Sequence, residues 1–461
     1  MRASAQFLLA AALAAPVLAA QAPPPAAGAP ADPDVREIVS AISMERIQRS
    51  IFVLSSFRTR HTLSDPLPSG DGIGGATSWI RAELGRASAQ AGGRLNVELD
   101  TFDQPPAPPR FPQGTQISNI VATLPGTDPD PGGRMLVVSA HYDSRATNPL
   151  DAAGPAPGAD DDASGTAEVL ELARVMSHYR FGATIAFIAF SGEEEGLYGS
   201  THWARAARER RADIEAVLNN DIVGSSRSEG GGIDRGTVRL FAQGVPPVPS
   251  PSDSLVELLK DGGENDTPPR ELARAVRDIA AAYVPSMRVE IIYRADRYLR
   301  GGDQLPFLEN GYPAVRFTEP AEDFRHQHQN VREEGGVQYG DTPERLDFAY
   351  AADVARVNAA ALAVLARAPG PPRGVQVEAA RLENDTTLRW DPSPEPGLAG
   401  YRIVWRETTS PYWEHSMDVA KDATRATVRG VSKDNAVFGV EAFDAAGHAS
   451  PAVFPAARKT L

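Results

Sequence analysis

The chain is 461 residues long, with 46 Lys plus Arg against 60 Asp plus Glu and a formal net charge of −14. That length exceeds one ordinary hydrophobic core, so one large domain and at least one small one are expected, while the acidity argues against nucleic acid as a partner. With no cysteine, neither disulfides nor a lipid-bearing Cys are available to an exported chain, and stability has to come from core size or bound metal.

Residues 1–20 carry the pattern of a secretory signal peptide. Arg2 gives a short positive region, Phe7 to Ala15 an apolar one, and Val17-Leu18-Ala19-Ala20 a small-residue cleavage site. The mature protein is then expected to be secreted or periplasmic, starting with a flexible Pro/Ala-rich leader over residues 21–33. No later stretch reads as a membrane span.

From Asp34 to Arg60, Val35, Ile38, Val39, Ile42, Ile47, Ile51 and Leu54 recur at helical spacing, and a second amphipathic segment over Ala76 to Ala89 carries Trp79, Ile80 and Leu84. Leu95, Val97 and Leu99 alternate as a strand, and Ile117 to Leu124 follows as another. Met135 to Ala140 is an apolar run of the kind covered on both faces, ending in His141-Tyr142-Asp143-Ser144. Alternation along a strand puts His141 and Asp143 on one side, where a carboxylate can hold an imidazole.

Next comes GADDDASG, Gly158 to Gly165, leading into a helix with Ala167, Leu170, Val175 and Met176. Helix capping accounts for some of these acids but not for three in a row. The strand Thr184 to Phe190 breaks at Ser191-Gly192 into Glu193, Glu194 and Glu195. Three adjacent acids repel one another, and a metal is the first candidate for the positive charge that holds them. A helix through Trp203 and Ala207 precedes the strand Ile214 to Leu218, which ends in Asn219-Asn220-Asp221. Residues 225–270 look like an insertion with one strand, Val238 to Ala242. The helix Glu271 to Tyr283, the strands Arg288 to Tyr293 and Ala314 to Phe317, the cluster His326-Gln327-His328 and a closing helix Phe348 to Arg367 complete the segment.

Strand and helix alternate, and polar residues fall at the C-terminal ends of strands. The fold class expected over residues 34–367 is therefore a three-layer α/β/α domain with a mostly parallel mixed sheet and its site at one sheet edge. APGPPRG, residues 368–374, is a stiff linker. Over residues 375–461 the apolar period becomes two: Val375 and Val377, Leu388 and Trp390, Tyr401, Ile403 and Trp405, Ala426 and Val428, then Phe438, Val440 and Ala442. That spacing makes a small C-terminal β-sandwich, and with Trp390 in an early strand and VFGVEAFDAAGHAS late it resembles a fibronectin type III domain. It holds no catalytic constellation and is expected to serve docking or stability, in contact with protein or cell-surface material.

The candidates for chemistry are His141, Asp143, one acid of Asp160 to Asp162, two of Glu193 to Glu195, Asp221, and His326 or His328. Imidazoles and carboxylates mixed at strand ends suit Zn²⁺, and more carboxylates than one zinc needs points to two ions sharing a carboxylate. An isolated HYD is more often structural, a lone DDD is often a cap, and a lone EEE is most often a surface patch. In this order, with most of them at strand ends, chance is the poorer explanation. His61, His178, His202, His415 and His448 fit no motif and read as ordinary surface or core histidines.

HYDS, PAPGADDDASG, FSGEEEGLYGS and NND, in this order and spacing, resemble the M28 family of zinc peptidases over roughly residues 35–367, including bacterial leucyl-type aminopeptidases. The resemblance implies His141 and Asp221 as terminal ligands of one Zn²⁺ and Asp161 as the bridge. It makes Glu194 and the last His ligands of the second zinc, and Glu193 the general base acting on a metal-bridging hydroxide. Asp143 would hydrogen-bond His141. The family usually has a His followed by Thr, with an Asp four residues after the His. Here Gln327 follows His326 and Asn330 stands at that offset, which favours His326 over His328. Glu195 is left to the positive end of the next helix. The resemblance further implies an aminopeptidase acting on peptides with a free N-terminus; carboxypeptidase or dipeptidase action on the same centre is the nearest alternative. A one-zinc glutaminyl cyclase and a non-catalytic binding protein are further ones.

Overall fold

The computed structural model describes residues 32–128, 133–246 and 252–458. The signal peptide and all but the last two residues of the leader lie outside the described residues. Those two are not leader: Asp32 caps α1 (Pro33–Ser40) by accepting from the Asp34 amide, with Pro33 at the first helical position where its missing N–H costs nothing. The helical spacing from Asp34 to Arg60 covers two helices, because Ser43 caps α2 (Met44–Ser56) through the Arg46 amide. Next come α3 (Ile73–Gln90), the strands β1 (Asn96–Gln104), β2 (Thr115–Leu124) and β3 (Met135–His141), then α4 (Ala163–Met176) and β4 (Thr184–Phe190). The short α5 (Glu193–Gly196) carries the Glu triplet and is followed by α6 (Tyr198–Glu209), β5 (Ile214–Asn220) and β6 (Thr237–Ala242). After these come α7 (Asp253–Lys260), α8 (Pro268–Tyr283), β7 (Arg288–Ile292), α9 (Gln304–Glu309) and β8 (Ala314–Thr318). A hairpin of β9 (Arg332–Glu334) and β10 (Val337–Tyr339) precedes α10 (Phe348–Leu365).

Strands β1 to β8 form one mixed sheet in the order β1-β2-β4-β3-β5-β8-β6-β7. Its centre, β4-β3-β5-β8, is parallel, and antiparallel pairings flank it. Leu136, Val138 and Ala140 of β3 pack with α2, α3, α4 and α10 on one face, while Val137 packs with α6 and α9 on the other. Both faces are buried, which is why β3 and β4 read as continuous apolar runs. The chain leaves β3 for β4 through α4 and leaves β4 for β5, across β3, through α6. Those crossovers part at the C-terminal end of β3, where a doubly wound sheet opens a crevice.

α10 is long and apolar enough to cross a membrane by length and composition, contrary to the expectation that no later stretch is. It is the core helix of this domain, however, with 78% of it buried inside the protein. The C-terminal unit has two sheets, β15-β12-β11-β17 and β14-β13-β16, built from β11 (Gln376–Glu378), β12 (Thr386–Arg389), β13 (Leu398–Glu407), β14 (His415–Ala420), β15 (Arg425–Val428), β16 (Ala436–Asp444) and β17 (Ala456–Arg458). Leu388, Trp390, Tyr401, Ile403 and Val440 fill the space between them. The linker is pinned by the Gly370 amide donating to the Glu395 carboxylate at 2.9 and 3.0 Å.

Candidate metal centre

The central strands place the motifs side by side. His141 ends β3, the Glu triplet follows β4 by two residues, Asp221 follows β5, and the Asp160–Asp162 turn opens α4. The break after β4 requires Gly192, whose φ of 79° lies in the left-handed region. Three neighbouring residues adopt that region without being glycine, Leu197 at φ 57°, Ile222 at φ 62° and His328 at φ 54°. Such strain persists where packing enforces it and concentrates at functional sites.

Asp161 joins two groups of donor atoms. Its Oδ1 is 3.1 Å from His141 Nε2, which also faces Asp221 Oδ1 at 3.9 Å and Glu193 Oε2 at 4.0 Å. Its Oδ2 is 2.9 Å from His328 Nε2, which lies 3.1 Å from Glu194 Oε2. The imidazole beside Glu194 thus belongs to His328. The expectation of His326 is corrected: its Nδ1 lies 3.1 Å from the Gly340 carbonyl and its Nε2 is 3.5 Å from Asp323.

The hairpin β9–β10 separates His328 from Asp341, so no Asp stands four residues after the histidine. Asp341 accepts the Asp160 amide at 2.9 Å and the Asp161 amide at 2.8 Å. Gln327 also turns inward and donates to Asp161 Oδ2 at 3.1 Å.

The residues that hold these groups are themselves held. Asp143 accepts the amides of Glu193 at 3.3 Å and Glu194 at 3.0 Å, so it orients both glutamates. Its carboxylate is 3.6 Å from His141 Nδ1, and its backbone carbonyl is nearer at 3.1 Å. Asp162 caps α4 through the Gly165 amide at 2.9 Å and accepts the His141 amide at 3.1 Å. Arg316, fully buried, bonds Asp221 Oδ1 at 2.9 Å and Asp296 at 2.8 Å.

Glu195 departs from expectation. It is buried, accepts Thr62 Oγ1 at 2.5 Å, and has His61 Nε2 3.3 Å away. Burial and the nearby Asp143 push it up to about 8. The helix whose positive end it was to meet, α6, starts only at Tyr198, and Glu195 lies in the four-residue α5 before it. Thr62, Arg145, Asp303 and Asp341 had no local signal. Asp303 is 1% exposed with both carboxylate oxygens unpartnered, and burial lifts it to about 7.

Burial pushes Glu193 well above the ordinary carboxylate range, with Asp221 and Glu194 adding to it against the pull of His141. Asp161 goes the other way: burial opposes ionisation, but His328 and His141 hold it well below its ordinary value. Burial also opposes protonation of His328, yet Glu194 and Asp161 lift it to about 9. Glu194 Oε1 has no hydrogen-bond partner, and the buried His141 Nε2 and His328 Nε2 meet only carboxylate oxygens. Buried nitrogen and carboxylate ligand atoms converging in two groups fit zinc.

The model for "Peptidase family M28" matches residues 119–334. A probable zinc metalloprotease of Pyrenophora tritici-repentis is 45% identical over 427 residues, 92% of this chain and 87% of the relative. One of Leptosphaeria maculans is 46% identical over 422 residues, covering 92% of this chain and 96% of the relative. Among solved structures, the Legionella pneumophila LapA aminopeptidase shares the fold at TM-score 0.50 and 19% identity, over 72% of this chain and 75% of that one. An aminopeptidase from Aneurinibacillus sp. strain AM-1 does so at TM-score 0.50 and 16% identity, over 72% and 96%. With its motifs gathered at one crevice and relatives of this likeness over nearly its whole length, the chain belongs to peptidase family M28 and is a zinc metallopeptidase.

Proposed function

We propose that the protein is an exported di-zinc aminopeptidase, and the observation that carries this reading is Asp161 presenting one oxygen to each of two donor groups. His141 and Asp221 would hold one ion and Glu194 and His328 the other, with Asp161 between them. Zinc, when bound, polarises the substrate carbonyl and lowers the pKa of water from 15.7 to about 7. Glu193 takes the proton of the attacking water and returns it to the leaving amine. Asp143, which accepts the Glu193 amide, fixes the backbone from which it reaches. The nearby aminopeptidase folds favour release of N-terminal residues. Export rests on the signal-peptide pattern of residues 1–20, and the C-terminal sandwich is read as a fibronectin type III-like module serving docking or stability.

The test is a panel of aminoacyl, N-acetylated and C-terminally blocked peptides, assayed with and without chelator, alongside zinc content by mass spectrometry. Expected are two zinc ions per chain and chelator-sensitive cleavage that requires a free N-terminus. Equal turnover of N-acetylated substrates would exclude the aminopeptidase, and one zinc at saturation would exclude the shared-carboxylate centre.

A further inference from the structure

The two histidines of the centre are prepared in opposite ways. His141 Nδ1 faces the Asp143 backbone carbonyl at 3.1 Å and the Asp143 carboxylate at 3.6 Å. Both are acceptors, so Nδ1 carries the ring proton and Nε2 keeps its lone pair for a metal. His328 Nδ1 instead lies 2.6 Å from an Arg145 terminal nitrogen. A guanidinium only donates, so this contact is a hydrogen bond only in the neutral ring that carries its proton on Nε2. That is the atom aimed at Asp161 and Glu194. A metal taken by Nε2 would move the ring proton to Nδ1 and set two N–H groups against each other. Arg145 also ties up the second carboxylate of the same group, its Nε being 2.9 Å from Glu194 Oε2.

We propose that Arg145 makes the two metal positions unequal, holding the Asp161–Glu194–His328 position weak and exchangeable while the His141–Asp221 position binds tightly. This rests on the two-zinc reading and adds an order of filling to it. The ion at the His328 position must turn Arg145 away from His328, and the ion at the His141 position meets no such competitor. Arg316 beside Asp221 is not its equivalent. It is anchored by Asp296 and the Gly301 carbonyl and holds one oxygen of a carboxylate rather than the lone pair of an imidazole.

The experiment is a zinc titration of the metal-stripped full chain against a competing chromophoric chelator, with bound zinc counted by mass spectrometry. The wild type is expected to bind two ions in separate steps, and His328→Gln to lose only the weaker one. Arg145→Met removes the donor, and Arg145→Gln replaces it with a side chain whose carbonyl can accept from Nδ1–H. Each is expected to tighten the weaker step by about 10- to 100-fold, the range typical of changes behind a metal ligand, and to leave the tighter step unchanged. Circular dichroism identifies a variant that fails to fold, in which case the other decides. Two ions bound with the weaker step unmoved in both variants, or two equal steps in the wild type, would overturn the role of Arg145 and leave the two-zinc reading standing. A single ion in the wild type and both variants would overturn that reading and the proposal with it.

Discussion

Among the three glutamates, position alone separates three jobs. Glu193 faces His141 at 4.0 Å, Glu194 faces His328 at 3.1 Å, and Glu195 turns away to Thr62 at 2.5 Å. Replacing Glu193 by Gln keeps the shape and removes the proton acceptor, so Glu193→Gln should retain zinc and lose about 10²- to 10⁴-fold in kcat, the usual contribution of a general base. Activity near that of the wild type at full zinc content would remove Glu193 from the role. Thr62→Val takes away the hydrogen bond to a carboxyl that has no water to turn to, at a cost of about 1–3 kcal/mol, whereas Thr62→Ser keeps it. Thermal unfolding of the two variants checks this, and equal melting temperatures would mean that the contact contributes nothing.

Between elements, the bond that fixes the end of β5 is made to α10. Asn358 donates to Asn220 Oδ1 at 2.8 Å, and Asn220 donates back to Asn358 Oδ1 at 3.2 Å, both side chains being fully buried. Asn358→Leu leaves Asn220 Oδ1 unpaired and Nδ2 with only the Leu218 carbonyl at 3.4 Å, beside Asp221, and should cost about 1–3 kcal/mol in urea unfolding, the cost of one buried unpaired group. The double variant Asn220→Leu/Asn358→Leu should recover most of it, since no polar group is then left unpaired; strictly additive losses would show that the two amides are not coupled. This pairing also marks what the sequence could and could not say. Periodicity located β3 and β4 and the acids after them, because burial on both faces writes itself into consecutive residues. It missed α7, α9 and the β9–β10 hairpin, which are short and lack a long repeat. The hairpin lies between His328 and Asp341, so the offset from histidine to acid could not choose between the two histidines, and His326 stood where His328 belongs. Asn358, Thr62, Arg145 and Asp341 act on Asn220, Glu195, His328 and Asp160, from 133 to 183 positions away, a distance over which a local pattern carries no information.

At the scale of the molecule, the C-terminal sheets are joined to the peptidase domain through buried charge on α8 and just before it. Arg406 of β13 grips Asp266 at 2.7 and 2.9 Å, Arg274 donates to the Pro411 carbonyl at 2.8 Å, and Trp413 Nε1 donates to Glu271 Oε2 at 3.1 Å. Glu271 is 2% exposed, and burial pushes it up to about 8, with Arg274 pulling down and Asp266 pushing up. A carboxyl whose folded pKa is raised binds its proton more tightly in the folded state. Its contribution to stability is therefore full below the unfolded value of 4.5 and is lost as pH rises through about 8. Glu271→Gln keeps the shape and an acceptor for Trp413 without titrating. Unfolding of both proteins at matched zinc content should give similar stabilities near pH 5. The wild type should fall behind the variant by a few kcal/mol, roughly, at pH 9, where its buried carboxylate is charged. Zinc affinity and the other buried acids change with pH equally in both proteins and cancel in the difference. A difference that stays flat from pH 5 to 9 would show that Glu271 does not take up a proton in this interface and that Arg274 holds it ionised, making the join between the two parts of the chain a set of ion pairs throughout.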